Sequence, residues 1–176
     1  MKPLTLLVLA LGLLSAGCDE VLAPATPTGL VTLVSQISGS QEVPAAAAPE
    51  AAAAGTLSIT MAPSGGGAYL ASFTFQVGGL VKAGVLPAPL DSGSVIVAGH
   101  IHSGAAGVVG PPVVPLPISQ ALPIVTPTGG VLLTISNVAV SADVASAILA
   151  NPSAFYFNLH SALNPAGVVR GQLIKQ

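Results

Sequence analysis

The chain has 176 residues, of which 6% are charged, and its formal net charge is -2. Four Lys and Arg residues scattered along the chain cannot neutralise a phosphate backbone, so nucleic-acid binding is excluded. Twenty Gly, 16 Pro and few acidic residues favour short strands joined by tight turns over long surface helices. With aromatics at 3%, the core is expected to pack small aliphatic side chains without aromatic clusters.

At the N-terminus, Met1-Lys2 supplies a positive start, and residues 4–14 form an apolar run too short for a permanent bilayer span. Ser15, Ala16 and Gly17 lead into Cys18, the sole cysteine. The segment resembles a lipobox, with Leu14 one place further from the cysteine than usual. Residues 1–17 are accordingly read as a signal peptide and Cys18 as the lipid-bearing residue. The alternative is an ordinary signal peptide with an incidental cysteine. A single thiol forms no internal disulfide, and acyl chains contribute about 0.8 kcal/mol per buried CH₂, enough for a firm membrane anchor. Residues 18–29, rich in Pro, Thr and Ala, read as a flexible tether.

The remainder, residues 30–176, reads as one all-β domain. Residues 30–37 form the first strand. The Ala-rich stretch 44–54 is interrupted by Pro49 and reads as a loop with at most one helical turn. Residues 56–61 alternate with period two, which places Leu57, Ile59 and Met61 on one face. The turn signal Ser64-Gly65-Gly66-Gly67 joins that strand to residues 69–77 as a hairpin. Further strands are expected at 94–101, 113–116, 131–138, 154–159 and 168–174. One helix is expected at 141–149, with Ser141 as N-cap and Asn151-Pro152 as the stop. Seven or eight short strands and one short helix predict an antiparallel β-sandwich or an open barrel.

Three segments carry most of the polar chemistry. They are Ile37-Ser38-Gly39-Ser40-Gln41-Glu42-Val43-Pro44, then His100-Ile101-His102-Ser103-Gly104 running on to Gly107, and then Tyr156-Phe157-Asn158-Leu159-His160-Ser161 followed by Arg170-Gly171-Gln172-Leu173. In order and spacing they resemble the hallmarks of the chordin (CHRD) domain family. Ile37, Ser161 and Val168 depart from its pattern, and Val168 stands where a carboxylate beside Arg170 is usual. The resemblance implies an exported domain that binds a partner and has no assigned chemistry.

All three histidines lie in these segments. Alternation puts His100 and His102 on one strand face, and Tyr156, Asn158 and His160 on one face of a later strand. Neighbouring strands would bring the three imidazoles together, and three His ligands with an open position suit Cu or Zn. The alternative is a hydrogen-bonded polar seam with Asn158 and Gln172. Glu42 and Arg170 are expected to form a partly buried ion pair, or else to be two solvated charges. Asn158 is expected to satisfy backbone groups in a neighbouring turn. No nucleophile elbow, phosphate loop or dinucleotide fingerprint occurs, so no catalytic residue is assigned. The functional expectation is a lipid-anchored envelope protein, periplasmic or on the outer face, acting as a non-catalytic module for an extracytoplasmic protein or glycan partner. The alternative is a three-His protein that binds Cu or Zn and handles envelope metal or oxidative stress.

Overall fold

A computed structural model describes residues 29–85 and 93–176. The signal-peptide segment, Cys18 and the tether up to residue 28 lie outside the described residues.

The described chain forms β1 (Val31–Ser38), β2 (Ala54–Gly65), β3 (Ala68–Gly78), β4 (Ser94–Ser103), β5 (Pro112–Pro115), β6 (Ile124–Thr126), β7 (Val131–Val140), α1 (Ala142–Ala150), β8 (Phe155–Ser161), β9 (Val169–Gln172) and β10 (Ile174–Lys175). Short 3-10 turns at Gly39–Gln41 and Pro152–Ala154 follow β1 and precede β8. Eight strands run in the order β5-β4-β8-β9-β1-β2-β3-β7, all antiparallel, and curl into a nearly closed barrel. Of the two expected architectures, the barrel is the one formed. β6 adds to β4, and β10 adds to β1.

Alternation fixes which side chains point inward. Leu57, Ile59 and Met61 of β2 are all buried, as the period-two pattern requires. The pairings Leu33↔Ile59, Ile59↔Phe73 and Phe73↔Ile135 draw one apolar row across four strands. The expectation of a core without aromatic clusters is corrected here. Phe73 and Phe75 both meet Phe157, with ring centroids 6.2 and 6.0 Å apart. Composition counts aromatic residues, but register decides that these three converge in the barrel interior.

The sequence did not signal β6, because three residues between prolines are too few to show alternation. The expected strand 168–174 is divided between β9 and β10 at Leu173, whose N–H bonds to Phe155 O at 3.0 Å. The helix forms where expected. Ser141 is its N-cap by backbone, its carbonyl accepting from Ala145 N at 2.8 Å, but its hydroxyl makes no cap bond. Ala145 and Ile148 bury the inner face of α1 against the barrel.

The loop after β1 is held by Glu50, a carboxylate with no exposed surface. It accepts hydrogen bonds from the hydroxyl of Ser94, from the hydroxyl of Ser161 at 2.5 Å, and from Asn164 Nδ2 at 2.8 Å. Asn164 Oδ1 in turn accepts from Ala47 N at 2.8 Å. An Ala-rich loop with little side-chain grip is thereby pinned to β4, to β8 and to the turn after β8.

Candidate metal centre

β4 and β8 are direct neighbours, and their register decides the site. Ala98 pairs with His160, His100 with Asn158, and His102 with Tyr156. On the other side of β8, Asn158 pairs with Arg170 and Tyr156 with Gln172. Since Ile101, Phe157 and Leu159 fill the barrel interior, the polar residues between them share its outer face. Residues 104–111 fold back over that face. Gly110 permits the return, because a Cβ there would lie 1.5 Å from Ser103 O.

The three imidazoles converge. One ligand atom from each of His100, His102 and His160 lies within 4.8 Å of the other two. His100 Nδ1 is 3.3 Å from His160 Nε2. That equals the edge of a tetrahedron with metal–nitrogen bonds of 2.0–2.1 Å, about 3.3 Å. His102 Nδ1 is 2.8 Å from Gly110 O, and His160 Nδ1 is 2.9 Å from Pro165 O. A carbonyl only accepts, so in both rings the proton sits on Nδ1 and the Nε2 lone pair is left for a metal. Backbone carbonyls that hold ligating imidazoles in this way are a regular feature of metal sites. His102 Nε2 is buried and has no hydrogen-bond partner.

Electrostatics favour the neutral form of His100 and His102. Burial, with His160 and His102 adding to it, pushes the His100 pKa down to about 4. Burial also lowers that of His102, against the opposing effect of its bond to Gly110. Neutral imidazole is the form that binds metals.

Beside the histidines lies a second polar layer. The His102 ring stacks on Tyr156, with centroids 4.8 Å apart and planes at 12°. Arg170 Cζ sits 3.4 Å from the Tyr156 centroid. The guanidinium donates to Ala105 O at 2.9 Å and Val108 O at 2.8 Å. Gln172 Nε2 donates to Gly104 O at 2.9 Å and Ser153 O at 2.8 Å. Tyr156 Oη accepts from Gly110 N at 3.2 Å. Arg170, Gln172 and Tyr156 therefore hold the loop that presents Gly110 O to His102.

Two expectations are corrected. Glu42 and Arg170 are both buried, so neither is a solvated charge. No hydrogen bond or ion pair joins them among the described residues. Arg170 Nη2 is spent on loop carbonyls and on Gln172 Oε1, and Glu42 Oε1 has no partner. Burial drives the Glu42 pKa up to about 7, although Arg170 and Asn158 pull it down. Gly167, at φ +146, lies against this carboxyl, and a Cβ there would come within 2.4 Å of it. Asn158, expected to bond a neighbouring turn, instead has an unpartnered buried Oδ1. It lies between Glu42 and His102 and bears on the protonation of both.

Sequence reasoning gave Glu50 no role. The available signal was a lone charge inside an eleven-residue Ala- and Pro-rich stretch.

A search of curated proteins and a search of solved structures each returned no match. The segments bearing Glu42, the histidines, Asn158, Arg170 and Gln172 all fall inside a match to the CHRD domain spanning residues 33–173. That match covers most of the polypeptide and nearly the whole barrel, and the chain belongs to the CHRD domain family.

Proposed function

We propose that this CHRD domain is a metal-binding module of the cell envelope, taking one Cu or Zn ion at His100, His102 and His160. The observation that carries the reading is the convergence of one ligand atom from each of His100, His102 and His160 within 4.8 Å, beside a His102 Nε2 that is buried without a partner. A buried polar atom without a partner costs about 1–3 kcal/mol, and a metal ion removes that cost. His102 and His160 are already oriented by carbonyls, so little reorganisation opposes binding. The module is read as non-catalytic. Both oxygens of Glu50 are engaged by Ser94, Ser161 and Asn164, which leaves that carboxylate without an acid–base role.

The test is elemental analysis of untagged protein, before and after loading with Cu or Zn. One ion per chain, lost in His102→Phe and His100→Ala, supports the reading. A loaded protein that retains no metal defeats it.

The same proposal includes export and anchoring through Cys18, supported by the apolar run at 4–14 and the small residues before the cysteine. Labelled fatty acid should enter the parent protein and not Cys18→Ser. Equal labelling of the two, or none, removes the anchor from the proposal.

A further inference from the structure

We infer that the three-histidine centre selects a monovalent ion, copper(I), over divalent ions such as zinc. This rests on the metal-binding reading above and adds the identity of the ion. The ligand set consists of three imidazoles, and no carboxylate or thiolate of the described residues belongs to the cluster. The centre itself therefore supplies no negative charge to offset a cation.

What the outer face does supply is positive. The Arg170 guanidinium is separated from His102 by a single ring, since Arg170 lies over Tyr156 and Tyr156 stacks on His102. It cannot swing away, because Ala105 O and Val108 O hold it and the residue is 2% exposed. Glu42 forms no ion pair with this guanidinium among the described residues, and one of its carboxyl oxygens, Oε1, is buried without a partner. Repulsion between Arg170 and a bound ion scales with the charge of the ion, so a divalent ion meets twice the opposition of a monovalent one.

Coordination number is compatible with this: copper(I) is satisfied by two or three nitrogen donors, while zinc takes water as its fourth ligand at a three-His site. Intrinsic ligand preference does not settle the choice, since imidazole suits both metals. Charge does.

The experiment uses untagged metal-free protein. Copper(I), kept reduced with ascorbate under argon, is titrated against a chromophoric copper(I) chelator. Zinc is titrated against a zinc indicator, and silver(I) serves as a redox-inert monovalent probe. Copper(I) and silver(I) are expected to bind one per chain, with copper(I) tighter than zinc by about tenfold or more. Arg170→Met keeps an unbranched apolar side chain near Tyr156 and removes the charge. Loss of its bonds to Ala105 O and Val108 O acts on both metals alike, whereas loss of the charge favours zinc, so the ratio of copper(I) to zinc affinity should narrow.

Zinc binding as tight as copper(I) in the parent protein overturns the selectivity, and that measurement needs no variant. An unchanged ratio in folded Arg170→Met overturns the role of Arg170. Failure of every metal to bind, or binding undiminished in His102→Phe, is a different result and defeats the underlying metal reading instead.

Discussion

Replacing Glu50 by Ala should be the most damaging single change in the loop after β1. The side chain has no exposed surface and accepts bonds from Ser94, Ser161 and Asn164. Hydrogen bonds to a charged group contribute about 1.5–3 kcal/mol each. Part of that is recovered in the variant. The Ser94 hydroxyl still accepts from Val81 N at 2.8 Å, and that of Ser161 from Asn164 N at 2.9 Å. Asn164 Nδ2 retains only a 3.3 Å bond to Ala47 O. A net loss of about 3–5 kcal/mol follows, typical of a buried polar network that loses one member. For a domain of this size it lowers Tm by about 10–15 °C. Glu50→Gln preserves the shape, but its amide NH₂ confronts donors, and about 1–3 kcal/mol is expected. Urea denaturation of both variants measures these losses. Combining Glu50→Ala with Ser94→Ala should cost less than the sum of the two single changes, because they remove a shared bond. A Glu50→Ala protein within about 1 kcal/mol of the parent would refute the idea that this carboxylate pins the loop.

Two further predictions concern pH, both for metal-free protein followed by thermal melts. The Glu42 pKa is raised to about 7 from 4.5, so its contribution is fully present below pH 4.5 and is lost as pH rises through 7. Glu42→Gln should therefore gain on the parent between pH 4.5 and 8, and a constant difference across that range contradicts the burial argument. His100 runs in the opposite sense. Its pKa is lowered from 6.5 to about 4, so its contribution is present above pH 6.5 and lost as pH falls through 4. The stability gap between parent and His100→Ala should shift in favour of the variant over that window, and parallel curves would count against it. Finally, Gly110→Ala forces the loop away from Ser103 O and withdraws the carbonyl that orients His102. Metal affinity should drop about tenfold or more, as for other groups that orient ligands. Unchanged affinity would show that the carbonyl is not needed.

What the linear order of residues determined by itself is local. Period-two alternation placed Leu57, Ile59 and Met61 inward, and the glycine run after Ser64 marked the β2–β3 hairpin, because side-chain direction and turn geometry depend on near neighbours. The same alternation assigned His100 and His102 to one face. Pairing between distant strands belongs to the tertiary structure. The register that sets Ala98 against His160 makes three separate histidines into one centre. The fold-back at Gly110 chooses which ring nitrogen of His102 faces it. The fate of Glu42, Arg170 and Glu50 was likewise decided there. Whether a charge is paired, solvated or buried alone depends on which loops cover it, and residues 104–111 and the Ala-rich loop after β1 come from elsewhere in the chain. Spacing along a strand carries no information about those covers, and so an expected ion pair became a guanidinium held by carbonyls and a buried carboxyl with one unpartnered oxygen.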